Sequence, residues 1–347
     1  MPYNPLKDAA LKYSDSSDII TCKSYQPLCD YLYDYPNLDD IPPTGLVHVP
    51  LDHIEEFFKR IDSNGHRYVV VSSCSDYGVA IQNEHPAWKD MMKWLGMQVG
   101  PPLGYGGIKM PPRVNQDKCD LKDTYSVKMH SWTNATFPSI PHNVHHWFLT
   151  NLMFVPDAEE YNFMYETNTH EKITAIPFGI AEGKADELHA AMQNKRPYND
   201  RENKIYISYN DTTLERYELR GALMEWQSYG GLDSLTVNLP NQQDSYEDYL
   251  NKLSTHRYVL SPPGNGADCY RTLESVYMGC ITFVQDTPTN YLTDLPVMKY
   301  KNADDIISWY NYNQGNGPQL SEGFENKEET KLTYWKELIH SKRSELF

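Results

Sequence analysis

The sequence predicts an α/β chain of two domains in tandem, on three observations. Its 347 residues are long for one hydrophobic core, and a 40% hydrophobic content can fill two. Short apolar runs of strand length alternate with stretches of helical period along much of the chain. Residues 257–284, RYVLSPPGNGADCYRTLESVYMGCITFV, read as strand, glycine-bearing loop, helix and strand, a βαβ unit.

In chain order, residues 1–45 are rich in Tyr, Pro and Asp without a sustained period and predict an extended arm and loops. Ile54, Phe57, Phe58 and Ile61 suit a helix, Arg67 to Ser72 a central strand, and Trp88 to Trp94 another helix. Residues 100–145 carry much proline and glycine and read as loop, before Trp147 to Phe154 and Ile173 to Phe178 restore apolar runs. The polar stretch from Glu182 to Asn203 is the expected boundary, giving a first domain over 1–182 and a linker over 183–203. Lys204 to Tyr209 then reads as a strand, Leu214 to Trp226 as a helix, Ser234 to Leu239 as a strand and Tyr246 to Leu253 as a helix, within a second domain over 204–324. Glu325 to Ser344 reads as a charged amphipathic helix, part of a C-terminal segment over 325–347.

The chemistry is concentrated in the βαβ unit. Arg257 to Ser261 is stopped by Pro262-Pro263, and Ile281 to Val284 is the second strand. Between them Leu273, Val276 and Tyr277 recur at helical spacing, with Asp268 able to cap the first turn and Gly279 to close the last. A helix N-terminus following a strand favours an anion, and Gly264 and Gly266 would let the backbone come close to it. Arg271 is the anomaly, because a cation in the first turn opposes the helix dipole unless a negative group sits alongside. A phosphate resolves the conflict, and Glu274, one turn deeper on the same face, then reaches the hydroxyls of a ribose. The same two residues also fit an i,i+3 surface ion pair worth ~0.3–0.5 kcal/mol. Arg216 and Arg220, four apart on the first helix of the second domain, read as second cations of the same cleft or as solvated helix charges paired with Glu215 or Glu218.

Ser261-Pro262-Pro263-Gly264-Asn265-Gly266, then Asp268 to Glu274 and Gly279-Cys280-Ile281, resemble the signature segment of exostosin-like glycosyltransferases across roughly thirty residues. Tyr270 stands where that family usually carries His, and Leu273 where it usually carries Trp. Weaker matches are Tyr68 to Val71 running into Ser75-Asp76-Tyr77-Gly78, and Trp147-Phe148 with Thr150-Asn151 followed by Ile176 to Ala181. The resemblance implies the GT-B architecture, two Rossmann-like domains facing a cleft, with the C-terminal helix packed back on the first, acceptor-binding domain. It implies an inverting transfer from a nucleotide-sugar donor, expected to be a UDP-sugar, to a glycan hydroxyl. The donor set is then Ser208, Asn210, Arg216, Arg220, Pro263, Gly264, Asn265, Gly266, Asp268, Arg271 and Glu274.

Inversion requires a general base from the first domain. Asp76 follows its most strand-like segment and is the candidate, although Ser75 to Gly78 also reads as a plain turn. His130, His142 and His145 are lesser base candidates, and Tyr77, Tyr105, His130 and Trp132 join Asp76 on the acceptor side. No Asp-x-Asp triplet and no HExxH are present, so no cofactor and no metal requirement are expected.

The formal charge of -16 argues against nucleic acid and anionic lipid as partners. A mean hydropathy of -0.65 and the lack of a long apolar run predict no membrane span. Family relatives in animals and plants are typically Golgi membrane proteins, and because no anchor is read in this sequence a cytoplasmic bacterial or viral relative is expected. The six cysteines form no CxxC pair and are expected to be reduced and structural. Two other classes stay open: a sugar-nucleotide epimerase of the same architecture, and a non-catalytic glycan-binding protein.

Overall fold

Two all-parallel sheets of five strands carry the chain in the computed structural model, which describes residues 18–34, 40–74, 78–80, 135–136, 140–154, 172–211, 214–230, 233–239, 244–264, 266–287, 289–290, 293–313 and 327–347. In the first sheet β1 (Tyr31–Leu32), β2 (Gly45–His48), β3 (Tyr68–Ser72), β6 (Val144–Leu149) and β8 (Ile173–Ala175) lie side by side in that order. β3 is central because Tyr-Val-Val-Val-Ser is buried along its whole length, as a strand covered on both faces must be. A helix, α1 (Ile54–Ile61), covers one face with Ile54, Phe57, Phe58 and Ile61, and Phe58 meets Trp147 edge to face at 5.2 Å.

A separate parallel sheet of three short strands has the order β5 (Ala135–Thr136), β4 (Gly78–Ala80), β7 (Leu152–Phe154). The apolar run Trp147 to Phe154 is thus two strands in two sheets. The break falls at Asn151, whose φ of 56° lies in the left-handed region that asparagine tolerates. The predicted helix Trp88 to Trp94 lies outside the described residues.

The second sheet has the order β10 (Leu235–Asn238), β9 (Glu202–Ser208), β11 (His256–Ser261), β12 (Ile281–Gln285), β13 (Met298–Tyr300). From β9 the chain first moves to one side, through α3 (Leu214–Gly230) to β10. It then crosses to the other side through α4 (Tyr246–Thr255) to β11. The direction of winding therefore reverses between β9 and β11, the topological switch point at which open α/β sheets form a crevice.

The helix of the βαβ unit, α5 (Tyr270–Tyr277), ends as its sequence predicts. Gly279 has φ 72°, its N–H bonds Val276 O at 2.8 Å, and the Cys280 N–H bonds Ser275 O at 2.9 Å, the paired bonds of a Schellman motif. α6 (Ala303–Asn313) packs against α3, with Trp226 and Tyr310 edge to face at 5.5 Å.

The polar stretch 183–203 is not simply a connector. It contains α2 (Ala185–Gln193), which buries Ala185 and Leu188 and half-buries Ala191 and Met192 against the core, so a mostly polar composition concealed a helix. The last helix, α7 (Leu332–Ser344), lies on the first domain: Arg343 grips both carboxylate oxygens of Asp30 at 2.7 and 2.9 Å, and the Leu332 N–H donates to Asp18 O. One hydrophobic cluster joins the halves, with Val69 and Phe148 from the first sheet, Tyr206 and Val259 from the second, and Leu188, Leu250, Val276 and Trp335 from the helices between them. Tyr277 adds a polar tie there, its hydroxyl accepting from Ile20 N at 2.9 Å and donating to Thr330 O at 2.8 Å. Among the described residues, no helix is long and apolar enough to cross a membrane.

Candidate active site

At the carboxyl ends of β9 and β10 and the start of α5 lies a cavity of about 420 Å³. The end of β9 and the residues just past it supply Ser208, Tyr209 and Asn210, and the end of β10 and the segment after it supply Asn238, Leu239 and Asp244. α4 adds Tyr246 and Tyr249, and Cys269, Tyr270, Arg271 and Glu274 close the cavity from α5.

Arg271 does sit in the first turn of α5, with Cys269 at the N-cap position. Among the described residues it forms no ion pair. Its polar contact is a long one, Nη1 to Cys269 Sγ at 4.0 Å, and its Nε is buried without a partner. The i,i+3 pair with Glu274 is not formed. Glu274 is buried, its Oε1 accepting from Tyr246 Oη at 3.2 Å and its Oε2 from Tyr249 Oη at 3.1 Å. Burial raises the Glu274 carboxyl above its ordinary range, against the opposing pull of Arg271 and the two tyrosines.

Arg216 faces the same cavity but is also a structural clamp. Its Nε donates to Pro263 O at 2.7 Å, its Nη2 to Pro262 O at 3.1 Å and its Nη1 to Asn210 O at 3.2 Å, joining the ends of β9 and β11. Burial, and then the adjacent Arg271 charge, lower the Arg216 guanidinium from its ordinary value. Arg220 is turned away from the lining, donating to Asp211 Oδ2 at 2.6 Å and to Tyr209 O. All three guanidiniums surround the Tyr209 ring, with carbons 5.5, 4.7 and 5.8 Å from its centroid for Arg216, Arg220 and Arg271. Two cations thus line one wall of a water-accessible cavity: burial opposes the Arg271 charge but Tyr249, Cys269 and Glu274 outweigh it and raise that guanidinium, so the cost of the pair falls on Arg216.

The two glycines expected to admit a phosphate have other neighbours. A Cβ on Gly264 would stand 2.6 Å from Arg216 Nη2, and one on Gly266 would stand 2.8 Å from Asn151 Nδ2. Their lack of a side chain makes room for the clamp and for a first-domain carboxamide. Asp268 does not cap α5 through a further turn. It is buried, its Oδ2 accepting from Phe178 N at 3.0 Å and its Oδ1 from Cys269 N at 2.7 Å, while its own N–H donates to Asn151 Oδ1 at 2.9 Å. Asp268 therefore ties the two domains beside the cavity rather than lining it. Pro263 contributes through its carbonyl to Arg216, and Ser208 and Asn210 line the wall as expected.

Asn265 lies outside the described residues, as do the acceptor-side residues Asp76, Tyr77, Tyr105, His130 and Trp132. His145 pairs with Glu345 at 2.7 Å, and His142 lies 3.8 Å from Asp62, so both face the surface of the first domain.

Several lining residues escape a reading of sequence. Tyr246 and Tyr249 are spaced i,i+3, the signal that places both on one helix face, but their bond to Glu274 is visible only in space. Below them Asp244 is held by Lys252 at 2.8 Å, by Tyr206 Oη at 3.0 Å and by Asn238, a polar floor assembled from β9, β10 and α4.

A Glu274→Gln variant should expose the charge arrangement. Because the folded protein holds the Glu274 proton more readily than the unfolded chain, this carboxyl contributes stability that is present below its unfolded pKa and lost as pH rises through its raised folded value. Urea unfolding at a series of pH values should show the wild type losing ground to the variant as pH rises from about 4. A difference independent of pH would contradict the raised carboxyl.

No family model and no curated protein matches this chain.

Proposed function

We propose that this chain is an inverting, metal-independent glycosyltransferase of GT-B architecture, transferring a sugar from a nucleotide donor, a UDP-sugar, to a hydroxyl of a glycan. One observation carries the reading: the partner-poor Arg271 guanidinium at the head of α5 shares a cavity wall with Arg216, at the switch point of a parallel sheet, with the Glu274 carboxylate one turn deeper. A nucleoside diphosphate matches this order of charges. Its pyrophosphate would neutralise the two guanidiniums and meet the start of α5, and its ribose hydroxyls would meet Glu274.

Breaking the sugar C1–oxygen bond leaves two phosphates carrying new charge, and cations already fixed in place stabilise that charge without reorganising. In this reading the guanidiniums do so, rather than a divalent cation on an Asp-x-Asp triplet the sequence lacks. Asp76 is proposed as the base that deprotonates the acceptor hydroxyl on the face opposite the leaving group, with Tyr77, Tyr105, His130 and Trp132 on the acceptor side. The two five-stranded parallel sheets support the GT-B reading, and the resemblance of residues 261–281 to the exostosin signature supports the activity.

Calorimetric titration with UDP, GDP and UDP-sugars tests the proposal. Saturable binding of one nucleotide is expected, and the absence of any nucleotide binding at millimolar concentration would remove it. Epimerised donor formed without an acceptor would instead indicate an isomerase at the same site.

A further inference from the structure

Away from the cavity, at the end of β3, two thiols meet across the fold. Cys22 lies in the N-terminal segment that bridges to Ile180, its N–H donating to Ile180 O at 3.0 Å. Cys74 lies just past β3. Its thiol donates to Cys22 O. Ser73 Oγ also donates to Cys22 O, at 3.0 Å, and stands 3.7 Å from Cys74 Sγ. Ser73 and Cys74 thus converge on the Cys22 carbonyl, which sets the Cys74 sulfur beside Cys22, and closure to a disulfide of ~2.05 Å needs side-chain rotation.

The surroundings favour the reaction. Cys74 has φ 66°, a left-handed conformation that β-carbon sterics disfavour, held by the contacts around it. Cys22 is buried whereas Cys74 is half-buried, so a small oxidant reaches the pair from the Cys74 side. The neighbouring Cys74 draws the Cys22 thiol down to about 7, while Cys22 and burial raise the Cys74 thiol. The pair thus has an attacking sulfur and a resolving sulfur.

We propose that Cys22 and Cys74 form a redox-active dithiol that a peroxide closes to a disulfide. The Cys22 thiolate attacks one peroxide oxygen, forming an S–O bond as the O–O bond breaks and hydroxide leaves. The Cys74 thiol then attacks the Cys22 sulfur, forming the S–S bond as the S–O bond breaks, and its proton leaves with the departing oxygen as water. The sulfur pair loses two electrons to the peroxide, and a dithiol reductant reverses the change. None of this depends on the activity proposed above.

Treatment of the full chain with hydrogen peroxide, followed by unfolding, maleimide labelling and mass spectrometry, tests it. The expected result is two fewer maleimide adducts than in the reduced chain, a peptide joining Cys22 to Cys74, and recovery of both adducts after dithiothreitol. In Cys74→Ser the expected product is a sulfenic acid on Cys22 that a cyclic diketone traps, with no cross-linked peptide. An unchanged adduct count, a Cys22 or Cys74 peptide joined to another cysteine, or untrapped Cys22 in Cys74→Ser would each overturn the proposal. The wild-type readout stands even if that variant folds poorly.

Discussion

Arg271→Ala should abolish most nucleotide binding and turnover while leaving the fold intact. A charge-assisted, bidentate contact to phosphate contributes ~1.5–3 kcal/mol, so UDP affinity is expected to fall roughly 10- to 100-fold by calorimetry. Turnover should fall further, because charge on the leaving diphosphate grows in the transition state. Arg271→Lys should fall between the two, since it keeps the charge but loses the planar fork. Among the described residues Arg271 holds little of the fold together: its Nε has no partner and its polar contact is the 4.0 Å approach to Cys269. Thermal stability should change little, because relief from the Arg216 repulsion is offset by loss of the attraction from Tyr249 and Glu274. UDP affinity unaltered in Arg271→Ala would separate the cavity from any nucleotide.

The largest expected effect on stability is acid sensitivity of the first domain. His48 is buried on β2 with Nε2 3.0 Å from Ser73 Oγ, and burial lowers it to about 3. His146 on β6, 2.8 Å from Thr174 Oγ1, is lowered to about 4 by burial first and by Lys342 and His145 next. Both are neutral in the fold and have an unfolded pKa near 6.5, so below that pH the unfolded chain binds more protons than the folded one. Stability is then complete above about pH 6.5 and declines as pH falls, by roughly 2 kcal/mol for each histidine at pH 5. Urea midpoints measured from pH 8 to pH 5 should drop steeply, and His48→Gln with His146→Gln should flatten the drop. The raised carboxyls of Asp268 and Glu274 act in the opposite sense, so the comparison with the histidine variants isolates this contribution. A wild-type midpoint that stays constant over that range would contradict the assignment.

The βαβ unit was readable from sequence because its signals are local. Prolines after β11, the helical spacing of Leu273, Val276 and Tyr277, and Gly279 at the turn each act within a few residues. Arg271 stood out for the same reason: it breaks a local rule about helix dipoles, and the structure leaves that conflict in place beside a cavity. What sequence could not supply were roles fixed by distant partners. Gly264 looked like a phosphate-facing glycine until Arg216 was seen to fill its missing Cβ position, and Gly266 likewise until Asn151 was. Asp268 looked like a helix cap, yet Phe178, from the other half of the chain, takes one of its oxygens. The pairing of Glu274 with Tyr246 and Tyr249 depends on how α4 packs beside α5, which no periodicity encodes. The helix at Ala185–Gln193 is hidden because its inward face is short, Ala185 and Leu188 with the half-buried Ala191 and Met192, amid polar residues.

The Tyr277 hydroxyl has a consequence for how the chain can be cut. It joins the segment at Ile20, the α5 helix and the turn at Thr330, and the neighbouring Leu332 N–H reaches Asp18 O. The chain at Asp18 to Ile20 and the turn before α7 are thereby fastened to the far end of the helix whose first turn carries Arg271. Removing the chain through Ile20, or nicking it ahead of α7, would release the last turn of the helix whose first turn carries that guanidinium.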